Sequence, residues 1–202
     1  MSSAMTQDPA SLSAADALVT DPFYRAISDA FAADPVRRRA VLGDYFACSI
    51  GEGVRHGRVV RPPDPAAGVA VWLLPQPADV EAQASREKQE ALHGILGAPG
   101  LATYREIVHF MGARAAPVVP EGAWYLSILA VAPTLQGRGL GARLLAPTLA
   151  MADAARVPCY LETFTPRTVA FYERLGFTTR EVIAEPTTGS EYAIMVRDAR
   201  QS

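Results

Sequence analysis

The run Gln136-Gly137-Arg138-Gly139-Leu140-Gly141 is where the sequence most plainly offers chemistry. Alternating glycines let neighbouring backbone N–H groups converge on one point with no Cβ in the way. The run follows an apolar segment, residues 124–131, and opens a helical one, residues 138–156, with Leu140, Leu144, Leu145 and Leu149 inward. The positive end of that helix adds attraction for an anion, and a pyrophosphate suits such a cradle. The glycine spacing is not that of a dinucleotide-binding turn, and no Lys-Ser/Thr pair follows as in a nucleotide P-loop. Glu162 is the second point of interest. It interrupts Cys159-Tyr160-Leu161-Glu162-Thr163, which reads as a strand covered on both faces. A carboxylate there must be paired, face a wet cavity, or hold its proton above the usual range, so it suits either a general base or a structural cap near Thr165.

Other reactive residue types are scattered. His56, His93 and His109 stand singly, and Cys48 and Cys159 have no neighbouring His or Asp, so no metal site and no disulfide framework is expected. Arg37-Arg38-Arg39 falls in the first turn of a helix, where the dipole disfavours cations, and reads as a solvated face.

The elements that would carry these residues follow from periodicity and punctuation. Residues 1–18, small and polar, read as a flexible tail ahead of one domain spanning 19–202, and Ala17-Leu18-Val19 is the only short strand candidate there. Helices are expected over residues 22–34 and from 35 to about 51, then two strands, 58–60 and 67–74, around a Pro-rich turn. Two helices, 78–95 and 99–113, precede the strand at 124–131. After the glycine turn come a helix with Pro147 inside it (a kink is expected), the strand 158–163, a short helix 166–175, and a closing hairpin, 177–184 with 191–197. The order strand, helix, strand implies one parallel crossover.

Half of the 202 residues are hydrophobic and 20% are charged, which fits one globular domain with a sizeable core. A net charge of −2 argues against a partner held by phosphate contacts, so no nucleic acid is expected. No apolar stretch approaches the roughly 20 residues of a membrane span, and the N-terminus lacks a secretory pattern, so a cytoplasmic protein is expected.

Val131-Ala132-Pro133 followed by Q-G-R-G-L-G resembles the Q/R-x-x-G-x-G/A motif of the GCN5-related N-acetyltransferases (GNAT). Ala170-Phe171-Tyr172-Glu173-Arg174-Leu175-Gly176-Phe177 is similar to that family's closing A-x-Y-x-x-x-G-F motif. Together they cover residues 121–197. Within the family, LETFTPRTVAFYERLGF, VAVWLLP and AFAADP are most similar to puromycin N-acetyltransferase-like proteins. The resemblance implies an α/β fold: a mixed sheet of about six or seven strands, a parallel pair splayed at the cofactor site, and helices on both faces. It also implies acetyl-CoA as co-substrate and no metal. The activity implied is transfer of acetyl to a primary amine, of a small molecule first, with a protein N-terminus or lysine as the alternative. A catalytically silent acyl-CoA-binding sensor is the rival outside the enzymes. A monomer or a homodimer would serve any of these.

Acetyl transfer from a thioester to an amine needs the cofactor held, the amine neutral, an oxyanion donor, and a proton for the departing thiolate. The cradle of Gln136, Gly137, Arg138, Gly139, Leu140, Gly141 and Ala142 would hold the pyrophosphate. By resemblance, the open edge of Leu129, Ala130 and Val131 would pair with the pantetheine amides, with a backbone N–H near Leu129 facing the thioester carbonyl. Phe171 and Thr168 complete the cofactor set by the same resemblance; Thr165 and Thr168 stand where many members carry asparagine. Tyr172 matches the family's thiolate-protonating tyrosine, and Glu162 is the candidate base. For the acceptor, the large rings Tyr45, Trp72 and Trp124, with Phe46 and Tyr104, are the candidates.

Overall fold

A computed structural model describes residues 8–200. Asp8 accepts a hydrogen bond from the Ala10 N–H (3.0 Å) and Pro9 fills the first turn, which starts helix α1 at Pro9–Leu18. The expected tail is therefore corrected. Residues 9–18 form a helix, Ala10, Ala14 and Ala15 are buried, and Ala17-Leu18-Val19 ends that helix and forms no strand. Residues 1–7 lie outside the described part. Composition misled because Ala and Ser read as loose chain, yet small side chains are what lets α1 lie close on its neighbours. Packing, more than propensity, holds so short a helix.

Helices α2 (Pro22–Ile27) and α3 (Pro35–His56) repeat the pattern of an aspartate cap followed by proline: Asp21 accepts from the Phe23 N–H, Asp34 from the Arg37 N–H. The arginine run at the head of α3 is tied to the chain itself. Arg37 lies over the Phe31 ring, Arg38 donates to Ser28 Oγ (2.8 Å), and Arg39 pairs with Asp16 of α1 (2.7 Å). Strands β1 (Gly57–Val60) and β2 (Gly68–Leu73) follow, then α4 (Ala78–Ala115), broken at Gly97 (φ 71°, ψ 175°) into the two segments the glycine and Pro99 predicted. Strand β3 (Trp124–Val131), helix α5 (Leu140–Ala155, uninterrupted through Pro147) and strand β4 (Cys159–Thr163) make the parallel crossover. Helix α6 (Pro166–Arg174) and the hairpin of β5 (Thr178–Glu185) and β6 (Ser190–Arg197) close the fold.

The six strands form one sheet in the order β1-β2-β3-β4-β6-β5, with only β3 and β4 parallel. Helices cover both faces. Val69, Val71, Ile128 and Ile194 pack with Leu42, Phe46, Leu92 and Ile107 beneath α1, α3 and α4, while Ala70, Trp72, Leu161 and Met195 pack with Leu144, Leu145 and Leu149 of α5. Among the described residues no helix is long and apolar enough to cross a membrane.

Two irregularities in β3 shape everything that follows. Against β2, Val71 pairs with Ile128 but Trp72 pairs with Leu126, so Ser127 is the extra residue of a β-bulge. The bulge reverses the alternation: Trp124 and Leu126 join the α5 face, whereas Ile128 and Ala130, still even-numbered, join the α3/α4 face. Against β4, only Trp124↔Cys159 and Tyr125↔Tyr160 pair, after which the strands part. The β4-facing edge of β3 beyond Tyr125 meets no strand, which is the expected splayed pair.

Candidate active site

The splay opens into a cleft of about 680 Å³, lined by β3 and β4 on the sheet side and by α2, α3 and α4 opposite. Leu129, Glu162, Thr168 and Tyr172 all line it, so the candidate acid, the candidate base and the open edge of β3 share one space. The glycine loop lies at the head of α5. Gly137 (φ 74°) and Gly139 (φ 76°) are left-handed, a conformation other residues adopt at a cost, and a Cβ on Gly137 would meet nothing within 4 Å. Helix α5 has no side-chain cap, so geometry leaves the N–H groups of Leu140, Gly141 and Ala142 outward and open to an anion. Gln136 Nε2 donates to the Val131 carbonyl (3.1 Å) and Arg143 Nη1 to the Arg138 carbonyl (3.1 Å), closing the loop on itself. At Gly141 the missing side chain makes room for a neighbour: a Cβ there would stand 3.2 Å from Phe171 Cζ and 3.6 Å from Leu129 Cδ2. Leu129 and Phe171 thus pack over the first turn of α5, and the residues present fit a pyrophosphate and its pantetheine arm.

Tyr172 is buried on α6, edge-on to Phe171 and Phe177 with ring centroids 5.0 and 5.9 Å away. Burial, and then the negative charge of Asp21, push its phenol well above the ordinary range. Such a group keeps its proton until a strong base arrives, which suits an acid. Thr168 Oγ1 lies 2.9 Å from Thr163 Oγ1 and donates to the Thr165 carbonyl (2.7 Å), fastening the start of α6 to the end of β4. Glu162 has the opposite character. Burial raises its carboxyl to about 7, and the hydrogen bond from the Tyr125 hydroxyl to Oε2 (3.2 Å) holds it lower than burial alone would. Its Oε1 is buried without a protein partner.

Asp21, Glu52 and Lys88, which are not among the expected site residues, also line the cleft. Asp21 caps α2 with Oδ1 and accepts from Thr165 Oγ1 with Oδ2 (3.3 Å), joining the N-terminal helices to the loop before α6. Burial raises its carboxyl above the ordinary value. Lys88 of α4, the only lysine in the chain, reaches Glu52 of α3 at 2.6 Å, with side chains 13% and 12% exposed. Burial alone would lower the Lys88 ammonium, but Tyr104, Tyr45 and Glu52 around it raise it on balance, so Lys88 keeps its proton. Removing one member of a buried pair strands the other. Lys88→Met is expected to cost about 3–5 kcal/mol in urea unfolding, and Lys88→Met with Glu52→Met to recover most of it. A double variant that loses the sum of the two single losses would mean that the two charges are independent.

Of the predicted acceptor rings, Tyr45 lines the cleft, with Tyr104, Phe23 and Tyr24 beside it. Trp72 and Trp124 do not, and those assignments are corrected. Trp72 is fully buried among the residues under α5, and Trp124 packs against the same cluster. Alternation along β2 sends Trp72 to that face. The bulge at Ser127 separates Trp124 from the Ile128 face.

Residues 100–179, from the second half of α4 into the start of β5, match the family model of the acetyltransferase (GNAT) domain. The fold is that of solved acetyltransferases. A Corynebacterium glutamicum structure described as histone acetyltransferase HPA2 and related acetyltransferase is similar over all of this chain and 96% of that one (22% identity, TM-score 0.64). A mosquito arylalkylamine N-acetyltransferase like 5b is similar over 77% of this chain and 80% of that one (21%, TM-score 0.51). PH1933 from Pyrococcus horikoshii matches over 100% and 96% (12%, TM-score 0.54). At these identities the likeness is one of fold.

Proposed function

We propose that this chain is a cytoplasmic, acetyl-CoA-dependent N-acetyltransferase that acetylates a primary amine of a small molecule, acting as a monomer or homodimer. Within its family it is most similar to the puromycin N-acetyltransferase-like proteins, on the segment Leu161–Phe177. One observation carries the reading: Glu162 and Tyr172 face a single cleft with Leu129, at the point where β3 and β4 part. The loop 136–142 holds the pyrophosphate, and the free edge of Leu129, Ala130 and Val131 pairs with the pantetheine amides. Glu162 takes a proton from the incoming ammonium, and Tyr172 gives one to the departing thiolate. Phe23, Tyr24, Tyr45 and Tyr104 offer an apolar body a wall of rings, and the nearby carboxylates favour a cation. A walled pocket of that kind fits a compact amine better than an extended peptide.

The test is release of free CoA thiol from acetyl-CoA across a panel of arylalkyl and alkyl amines, with peptides bearing a free N-terminus or lysine alongside. Turnover of the peptides alone would replace the small-molecule acceptor; no turnover, with acetyl-CoA still bound, would leave a sensor. Binding is checked separately. Acetyl-CoA is expected to raise the melting temperature of the wild-type protein, and Gly139→Val to abolish that shift. Valine strains the left-handed turn at a cost of about 1–3 kcal/mol and puts two methyl groups beside the anion seat. A Gly139→Val protein that keeps the full shift would remove the loop from the cofactor site.

A further inference from the structure

The last rung of the β3–β4 ladder is Tyr125↔Tyr160, and the strands part immediately beyond it. The two rings stack across that rung, centroids 4.7 Å apart and planes 23° from parallel. Stacking on a hydrogen-bonded rung leaves the Tyr125 ring little freedom. Its hydroxyl therefore has a fixed place, and it donates to Glu162 Oε2 at 3.2 Å, two residues along β4 from Tyr160. One carboxylate oxygen is taken; the other, Oε1, is buried and unpartnered and belongs to a residue that lines the cleft. Burial and that hydroxyl are what act on the titration of Glu162. Facing it are Tyr160 on its own strand and Tyr192 on β6, whose hydroxyl is also unpartnered, while Tyr172 of α6 and Asp21 at the head of α2 line the same cleft. Lys88, a cation that lines the cleft, is paired with Glu52, and Glu81 and His56 line it as well.

From this geometry we infer that Tyr125 is the positioning residue of the base: it holds Glu162 by Oε2 at the apex of the splay and leaves Oε1 to meet the ammonium of the acceptor. The inference rests on the acetyltransferase reading with Glu162 as base. It adds a residue that the reaction needs but that touches neither acceptor nor acetyl group. By favouring the carboxylate over the neutral acid, Tyr125 also offsets part of what burial does to Glu162. Without it the carboxyl is protonated at a higher pH, so less of the protein is competent at neutrality.

The experiment compares wild type with Tyr125→Phe, which keeps the stacked ring and removes only the hydroxyl. Infrared difference titration of the protein without acetyl-CoA follows the carboxyl of Glu162, assigned as the band lost in Glu162→Gln. Its midpoint is expected to move up by roughly 0.5–1 unit in Tyr125→Phe, the worth of one hydrogen bond to a charge. In turnover, kcat/KM is expected to fall about two- to fivefold at pH 7, with the ratio to wild type returning to one by about pH 9. In a Glu162→Gln background the hydroxyl should no longer matter to the pH profile. An unmoved midpoint overturns the inference, as does a loss of equal size at every pH or a pH-dependent loss that persists in the Glu162→Gln background. Because the titration needs no turnover, a protein that acetylates no amine would fail the functional reading while still reporting on Tyr125.

Discussion

Tyr172→Phe is expected to lower kcat by about one to three orders of magnitude while the stabilisation by acetyl-CoA is retained. The substitution removes one oxygen. The ring keeps its edge-on contacts with Phe171 and Phe177, and the residue is only 9% exposed, so the core under α6 should not change. What is lost is a proton in the right place. A thiolate leaving a thioester is a strong enough base to need one near neutral pH, since an ordinary thiol ionises near 8.5. Burial and Asp21 keep the Tyr172 phenol protonated at any working pH, which disqualifies it as a base and fits it to give a proton up only as charge develops on sulfur. Water entering the cleft sets the upper bound on residual activity, so the loss falls in the lower part of what general acids contribute. Stopped-time assays of CoA thiol under saturating acetyl-CoA measure it. A Phe variant that turns over like the wild type would assign Tyr172 to packing between α6 and the sheet.

How far the sequence foretold this site depends on whether a residue's neighbours are local. The glycine loop is legible because strand, turn and helix are consecutive, and the left-handed angles at Gly137 and Gly139 are what alternating glycines predict. Glu162 is legible because a carboxylate in an apolar strand is an anomaly in itself. Trp72 and Trp124 were misplaced for a different reason: ring size says nothing about which face of a sheet a residue takes. For Trp124 the face depends on Ser127, whose role as a bulge is set by pairing with β2 and leaves no mark in β3's own composition. The N-terminal helix was misread because its stability comes from α3, including the Arg39–Asp16 pair across 23 residues of chain.

The missed residues share one trait, a partner distant in sequence. Tyr125 lies 37 residues from Glu162, and only the register of the parallel pair shows that they meet. Asp21 looks like a helix cap and is one, yet its second oxygen accepts from Thr165, 144 residues on. Lys88 did carry a signal: it is the single lysine among 18 arginines, which compositional bias explains poorly at the one position where it survives. A compact ammonium fits against Glu52 between Tyr45 and Tyr104, where a planar guanidinium would need more room.

Glu162→Gln separates a catalytic carboxylate from a structural one, because the two roles predict opposite signs for stability. In the folded protein the carboxyl sits at about 7, above its ordinary value of 4.5, so the native state binds the proton more tightly than the unfolded chain does. Ionised Glu162 therefore costs stability, and the cost grows as pH rises from about 4.5 to 7 and is constant above. Glutamine carries no such charge. Its variant is expected to be more stable than wild type by roughly 2–3 kcal/mol at pH 8, with little difference at pH 4, in urea unfolding. Activity should move the other way. With Glu162 as the proposed base, the wild type near pH 7 is part ionised and would take the proton from the ammonium, whereas the Gln variant would wait for free amine, and a loss of about 100-fold is expected. Free amine rises about tenfold per pH unit below the amine's own pKa, so much of that loss should be recovered by pH 9. A carboxylate kept only to fasten the β4–α6 loop would show the reverse, a less stable Gln variant with a pH–rate profile of wild-type shape. Urea curves at pH 4 and 8, set beside rates from pH 6 to 9 for both proteins, decide between them.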